Sequence, residues 1–148
     1  MPQPLLIEGH ASLFGLADLA GDVVHRGAFA RTLRAKTSIP MLFQHDPAEP
    51  VGVWTGLRED RRGLFVTGEI LAEGPRGRTA AGLVARGAVN GLSIGFRTRR
   101  SVARKPRGRD LFDIDLWEVS LVTFPLHPGA RLDVPGTAAV SPLRAVRS

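Results

Sequence analysis

Residues 51–71 read VGVWTGLREDRRGLFVTGEIL. Two runs rich in Val, Trp, Thr, Leu, Phe and Ile, 51–58 and 63–71, flank the polar stretch Glu59-Asp60-Arg61-Arg62. Such residues suit the pleated, half-buried surface of a strand, and a short polar segment between two strands makes a hairpin turn. The same grammar of short apolar runs separated by Gly, Pro and Asp continues in both directions. Upstream, 39–44 (IPMLFQ) reads as a strand with Pro40 near its start, and the turn His45-Asp46-Pro47 follows. Residues 28–35 (AFARTLRA) place Phe29 and Leu33 four apart, the spacing of a short amphipathic helix. Asp22, Val23 and Val24 read as a short extended piece, and 4–14 (PLLIEGHASLF) as a strand with a glycine irregularity. Downstream, Gly74-Pro75 opens a helix, with proline at a tolerated first-turn position. It runs to about Arg86, and Gly87 is its C-terminal cap. Residues 91–98 and 111–124 are two further strands, with the basic connector RRSVARKPRGRD between them.

The sum is a sheet-rich α/β chain of the α+β type with at least two helices. Many strands with hairpin turns predict a closed or nearly closed antiparallel sheet. One domain is expected over 1–132, followed by a loose Pro-, Ala- and Ser-rich tail over 133–148. No internal repeat is visible.

Composition narrows the chemistry. With 43% hydrophobic residues, the 148-residue chain can bury a core without disulfide staples. Cysteine is absent, which excludes a disulfide framework, a thiolate metal site and a cysteine nucleophile. No cluster of metal ligands and no phosphate-binding glycine loop appears, so no cofactor and no metal are expected. The start, MPQPLLIEGH, has no basic region leading into a long apolar run, and it reads as no signal peptide. No apolar stretch approaches the roughly 18 residues of a membrane span. The formal net charge is +6, carried almost wholly by arginine, with only Lys36 and Lys105 as lysines. A positive surface favours encounter with nucleic acid or acidic protein without choosing between them.

The candidate chemistry centres on 90–96, NGLSIGF, where Ser93 sits between two apolar residues of a strand. GLSIG matches G-x-S-x-G literally. The nucleophile elbow of α/β-hydrolases, however, requires a strand–turn–helix, and IGFRTRR continues as strand. A serine nucleophile needs a base within hydrogen-bond reach. Of the four histidines, His45 is the best placed, at the end of an apolar strand in MLFQHDPAEPVG. The third role, orienting the imidazole, falls to a carboxylate. In LWEVSLVTFP, Glu118 shares a strand face with Leu116, Ser120 and Val122. A carboxylate on such a face needs a partner. The alternative for each residue is structural: a strand serine, a turn-capping histidine, a carboxylate paired with arginine. The basic connector 97–109 reads first as a solvated hairpin loop. It is otherwise a docking site for an acidic segment. It lacks the interleaved aromatics of a single-strand nucleic-acid site, so nucleic acid is not the expected partner.

Taken together, the segments resemble the prohead protease family of tailed phages and gene-transfer agents. The resemblance is carried by EGHASLFG (8–15), GDVVHRGAF (21–29), MLFQHDPAEPVGVW (41–54), EDRRGLFVTGEI (59–70), GAVNGLSIGF (87–96) and LWEVSLVTFPLHPGA (116–130), in that order over roughly 5–132. It implies a fold similar to the herpesvirus assemblin proteases, a mostly antiparallel barrel-like sheet surrounded by helices. It implies a serine endopeptidase that cleaves the scaffold and major capsid precursor inside the assembling capsid in the bacterial cytoplasm, with self-cleavage and a homodimer among the expectations it raises. The family serine maps to Ser93 and the family histidine to His45. Where the assemblins carry a second histidine this chain has none; Glu118 is the best match, with Asp115 and Asp46 as alternatives. The loop 125–131, including Arg131, is the candidate source of oxyanion donors on family grounds. His10, His127 and Arg26 depart from the usual pattern, and His10, His25 and His127 are read as structural. The competing reading is a non-catalytic capsid assembly or scaffold-binding protein on the same fold. A small basic nucleic-acid-binding barrel would explain the charge and leave His45, Ser93 and Glu118 without a role.

Overall fold

The computed structural model describes residues 3–35 and 38–136; of the tail expected over 133–148, residues 137–148 lie outside the described part. β4 (Gly52–Glu59) and β5 (Gly63–Ile70) form the expected antiparallel hairpin. Asp60 shapes its turn: the backbone N–H groups of Arg62 and Gly63 donate to Asp60 Oδ1 at 2.9 and 3.0 Å. An aspartate bonding its own downstream backbone in this way substitutes for a backbone turn. β1 (Leu5–Leu13) adds to the other edge of β5. The expected irregularity is present, but it falls at Ala11, between His10 and Ser12, rather than at Gly9. Gly9 instead allows close approach: a Cβ there would lie 2.9 Å from the Leu132 Cα and collide with the Arg131 carbonyl. That space lets β8 (Leu132–Asp133) pair with β1.

The site is built on the other half of the sheet. β6 (Gly91–Ala103) and β7 (Arg109–Val122) form a long antiparallel ribbon. On its other edge β7 takes β2 (Val23–Val24) near its start and β3 (Pro40–Phe43) near its end, both in parallel. β3 then pairs antiparallel with β4. The order is β2-β7-β3-β4-β5-β1-β8, with β6 on β7. The sheet is therefore mostly antiparallel, and its ladders do not close it; of the closed or nearly closed sheet expected from the sequence, full closure is absent among the described residues. One isolated bridge, Gly91 to Arg131, ties the β8 segment to the start of β6.

Only two helices flank the sheet among the described residues, fewer than a sheet surrounded by helices requires. α1 (Ala30–Ala35) is short. α2 (Pro75–Ala85) begins after Gly74 with proline at its first position. Its end is capped as expected: Gly87 takes φ +78°, and its N–H reaches the Val84 carbonyl at 3.0 Å. The core is continuous; Phe29, Met41, Leu64, Val66, Leu92, Ile114 and Val119 are wholly excluded from water. Each such side chain contributes about 1.5–3 kcal/mol of burial.

The basic connector is mostly strand. β6 runs on to Ala103 and β7 starts at Arg109, leaving only 104–108 as the loop. Its charges are met laterally: Arg97 and Arg99 both reach Asp115 at 3.1 Å, and Arg104 reaches Asp110 at 3.1 Å. The Arg100 guanidinium lies over the Phe112 ring, 5.0 Å from its centroid. The charged outer part of β6 holds strand geometry through such cross-strand pairs with β7, whose Leu111 and Ile114 are buried. No helix among the described residues is long and apolar enough to cross a membrane.

Candidate active site

His45 follows β3 in a turn of unusual backbone. Gln44 and His45 take φ of 55° and 61°, in the left-handed region. For non-glycine residues this costs about 1–2 kcal/mol each, so neighbours must enforce it. They do. Gln44 N–H donates to the Leu121 carbonyl at 2.9 Å, and Gln44 Nε2 donates to Thr123 Oγ1 at 2.7 Å. Asp46 N–H returns to the Phe43 carbonyl at 3.1 Å. Arg76, from α2, donates to that same carbonyl at 3.2 Å and pairs with Asp46 at 3.0 Å. The chain thus reverses sharply and turns the imidazole back over β7.

There it meets Glu118. His45 Nδ1 lies 2.5 Å from Glu118 Oε2. An ionised carboxylate only accepts, so Nδ1 carries the proton and Nε2 of the neutral ring is left as an acceptor. Among the described residues Nε2 has no hydrogen-bond partner, and the His45 side chain is about half exposed while that of Glu118 is only 13% exposed. This is the tautomer and the accessibility that a general base requires.

Ser93 lies one strand further on. Leu42, Ser120 and Ser93 form a row across β3, β7 and β6 by direct register. The Ser120 hydroxyl accepts the His45 N–H at 3.1 Å, so the histidine loop stands one strand from the serine. Ser93 is 8% exposed and has no hydrogen bond to His45 among the described residues. Catalytic contacts in unliganded sites are often long and tighten only with substrate. The ends of β6 and β7 are held close beside it: a Cβ on Gly91 would lie 2.7 Å from Pro125 Cδ and 2.8 Å from the Val122 carbonyl. The Leu92 N–H donates to the Ala130 carbonyl at 2.9 Å, which pins the loop 125–131 against β6. In that loop the Arg131 side chain donates to the Pro128 carbonyl at 3.0 Å and to Asn90 Oδ1 at 2.7 Å. A shallow cavity lies against Ser93, with Ala11, Leu16, Ile94 and Leu126 in its walls.

The other carboxylates considered for the third role are engaged elsewhere. Asp46 accepts the Ala48 N–H at 2.9 Å and pairs with Arg76. Burial acts to raise the Asp115 carboxyl, but hydrogen bonds from Arg99 and Arg97 prevail and hold it below the usual range. Neither hydrogen-bonds to the His45 ring, whose carboxylate partner is Glu118. The remaining histidines are also occupied: His10 with Asp60 at 2.8 Å, His25 with Asp110 at 2.7 Å, and His127 with the Leu16 carbonyl at 3.2 Å. Among the described residues no group of three or more His, Asp or Glu is placed to hold a metal ion.

Three contributors escaped sequence reasoning. Arg76 carries no local signal. Ser120 was visible only as a face-mate of Glu118. Gly95 is the register partner of Glu118, and a Cβ there would lie 2.8 Å from Glu118 Cγ and collide with Oε2. The second glycine of GLSIG was the one available hint.

Comparison with known proteins bears on the family and the fold. The prohead protease of Enterobacteria phage HK97 is 36% identical over 133 residues, 84% of this chain and 57% of that protein. This chain therefore spans little more than half the length of that relative. Among solved structures, the bacteriophage T4 capsid assembly protease matches with a TM-score of 0.64 at 13% identity, over 80% of this chain and 82% of that one. KSHV protease, bound to a hexapeptide phosphonate inhibitor, matches with a TM-score of 0.59 at 17% identity, over 88% and 64%. At such identities these structures speak for the fold, which is sheet-rich and similar to the herpesvirus proteases. The model of the caudovirus prohead serine protease family matches residues 3–141, and the chain belongs to that family.

Proposed function

We propose that this chain is a serine endopeptidase that cleaves the major capsid precursor and its scaffold segment during prohead maturation. The observation that carries the reading is the His45–Glu118 pair at 2.5 Å, one strand from Ser93, in a chain of this family. Ser93 Oγ attacks the scissile carbonyl while His45 Nε2 takes its proton. Glu118 holds Nδ1–H and stabilises the imidazolium that forms. His45 then delivers the proton to the leaving amine, and water, activated by the same nitrogen, hydrolyses the acyl-enzyme. The oxyanion needs fixed donors, and the loop 125–131, pinned against β6 through Leu92 and Ala130, is the candidate to supply them. The names of the HK97 and T4 proteins support a place within the assembling capsid. The likeness to KSHV protease, one structure of which is bound to a dimer disruptor, supports a homodimer. Self-cleavage in 133–148 is part of the same reading.

The test is co-expression with the capsid precursor, for the full chain and for Ser93→Ala, read by intact mass. Trimming with the unaltered chain alone is the expected result. Equal trimming with both would move the nucleophile elsewhere. Co-purification with no trimming in either would favour a non-catalytic assembly role.

A further inference from the structure

Ser120 is fully buried, at 0% exposure, and its hydroxyl lies between Glu118 and the backbone of the candidate general base, His45. It donates to Glu118 Oε1 at 2.7 Å and accepts the His45 backbone N–H at 3.1 Å. A hydroxyl has one proton, the ionised carboxylate offers none, and the peptide N–H can only donate, so the direction of both bonds follows from chemistry alone. The other carboxylate oxygen takes the His45 Nδ1 proton. One histidine is thus fixed at both ends, its backbone through Ser120 and its ring through Glu118, and the two anchors are bonded to each other. Gly95 supplies the space, since a side chain there would fall on the carboxylate.

We infer that Ser120 is a positioning residue of the catalytic machinery: its hydroxyl locks the Glu118 carboxylate and the strained His45 turn into one geometry, in a gap that Gly95 keeps open. This rests on the catalytic reading of Ser93, His45 and Glu118. Ser120 does not contact substrate; it acts through the other two. A carboxylate with both oxygens committed cannot rotate away from the imidazole, and a left-handed His45 with its N–H bonded has no reason to relax. A buried strand serine of merely structural value would satisfy its own hydroxyl without coupling these groups.

The full chain is treated with a fluorophosphonate that labels an activated serine, and the labelling rate is measured for wild type, Ser120→Ala, Ser120→Thr and Gly95→Ala. The proton NMR signal of His45 Nδ1–H, shifted downfield by its short bond, is followed in the same samples. Ser120→Ala is expected to lose about 10- to 100-fold in rate and to move or broaden the downfield signal. Ser120→Thr, which keeps the hydroxyl, is expected to recover most of that loss. Gly95→Ala, with Ser120 intact, is expected to fall as far as Ser120→Ala. Ser120→Ala labelling within about threefold of wild type, with the downfield signal in place, overturns the inference. If Ser120→Ala does not fold, Gly95→Ala decides: wild-type labelling with an unmoved signal overturns it, and a loss of both supports it. Failure of wild type to label at Ser93 would instead refute the catalytic reading, and the NMR signal would still report on whether Ser120 governs the His45–Glu118 bond.

Discussion

Replacing Glu118 by glutamine keeps the size of the side chain and removes its charge. The pair it disrupts joins His45 Nδ1 and Glu118 Oε2 at 2.5 Å, with Glu118 mostly buried and His45 45% exposed. Two unit charges whose centres lie about 4 Å apart interact by about 4 kcal/mol at an effective dielectric near 20. Solvent around the half-exposed imidazole roughly halves this, which leaves about 2–3 kcal/mol for the imidazolium formed when Ser93 gives up its proton. At about 1.4 kcal/mol per decade, the expected loss in rate is about 30- to 150-fold. Ser120 raises the stakes, because an amide at 118 receives its hydroxyl proton less well than a carboxylate and can present an N–H to Nδ1, which favours the wrong tautomer. The assay is the rate of fluorophosphonate labelling at Ser93, with circular dichroism to verify the fold. A Glu118→Gln protein that labels within about threefold of wild type would refute the assignment of Glu118 as the orienting carboxylate.

Two further outcomes concern stability. Burial acts to raise the Asp60 carboxyl, but hydrogen bonds from His10 and from the Arg62 and Gly63 backbone N–H groups outweigh it and hold it down to about 2. A depressed carboxyl stabilises the fold above its unfolded value of about 3.9 and loses that stabilisation as pH falls toward 2. For this partly exposed group the loss is about 1–2 kcal/mol, and Asp60→Asn should flatten the acid limb of a pH–melting curve. Asp22 accepts from the Arg109 backbone at 2.8 Å and from its guanidinium at 2.9 Å, at the foot of β7. Asp22→Ala leaves those donors without their acceptor and should cost about 1–3 kcal/mol, read as a lower midpoint in chemical denaturation at unchanged slope.

What the sequence disclosed is what local chemistry decides. The 51–71 hairpin was legible because Asp60 makes its turn with neighbours two and three residues away. The ends of α2 were legible because proline and glycine act where they stand. The parallel pairing of β3 with β7 was not, since it joins Met41 to Val119, and no local signal records a partner so distant. Strand order and closure follow from such pairings, which is why local signals left the sheet as closed or nearly closed without deciding which. The connector misled because its arginines look like loop, and their carboxylate partners lie across the ribbon on β7. His45 and Glu118 were legible as residue types in context. The left-handed backbone at Gln44 and His45 was not, because no glycine marks it and the bonds that enforce it come from Leu121, Thr123 and Arg76.

The central claim is that Ser93 is a nucleophile activated by His45. It is tested most directly by labelling the full chain with a fluorophosphonate and mapping the adduct by peptide mass, for wild type and His45→Ala. The account predicts a single adduct on the peptide containing Ser93, lost or slowed by at least about 100-fold without His45. An adduct on another residue, or labelling of Ser93 at the same rate without His45, would contradict it.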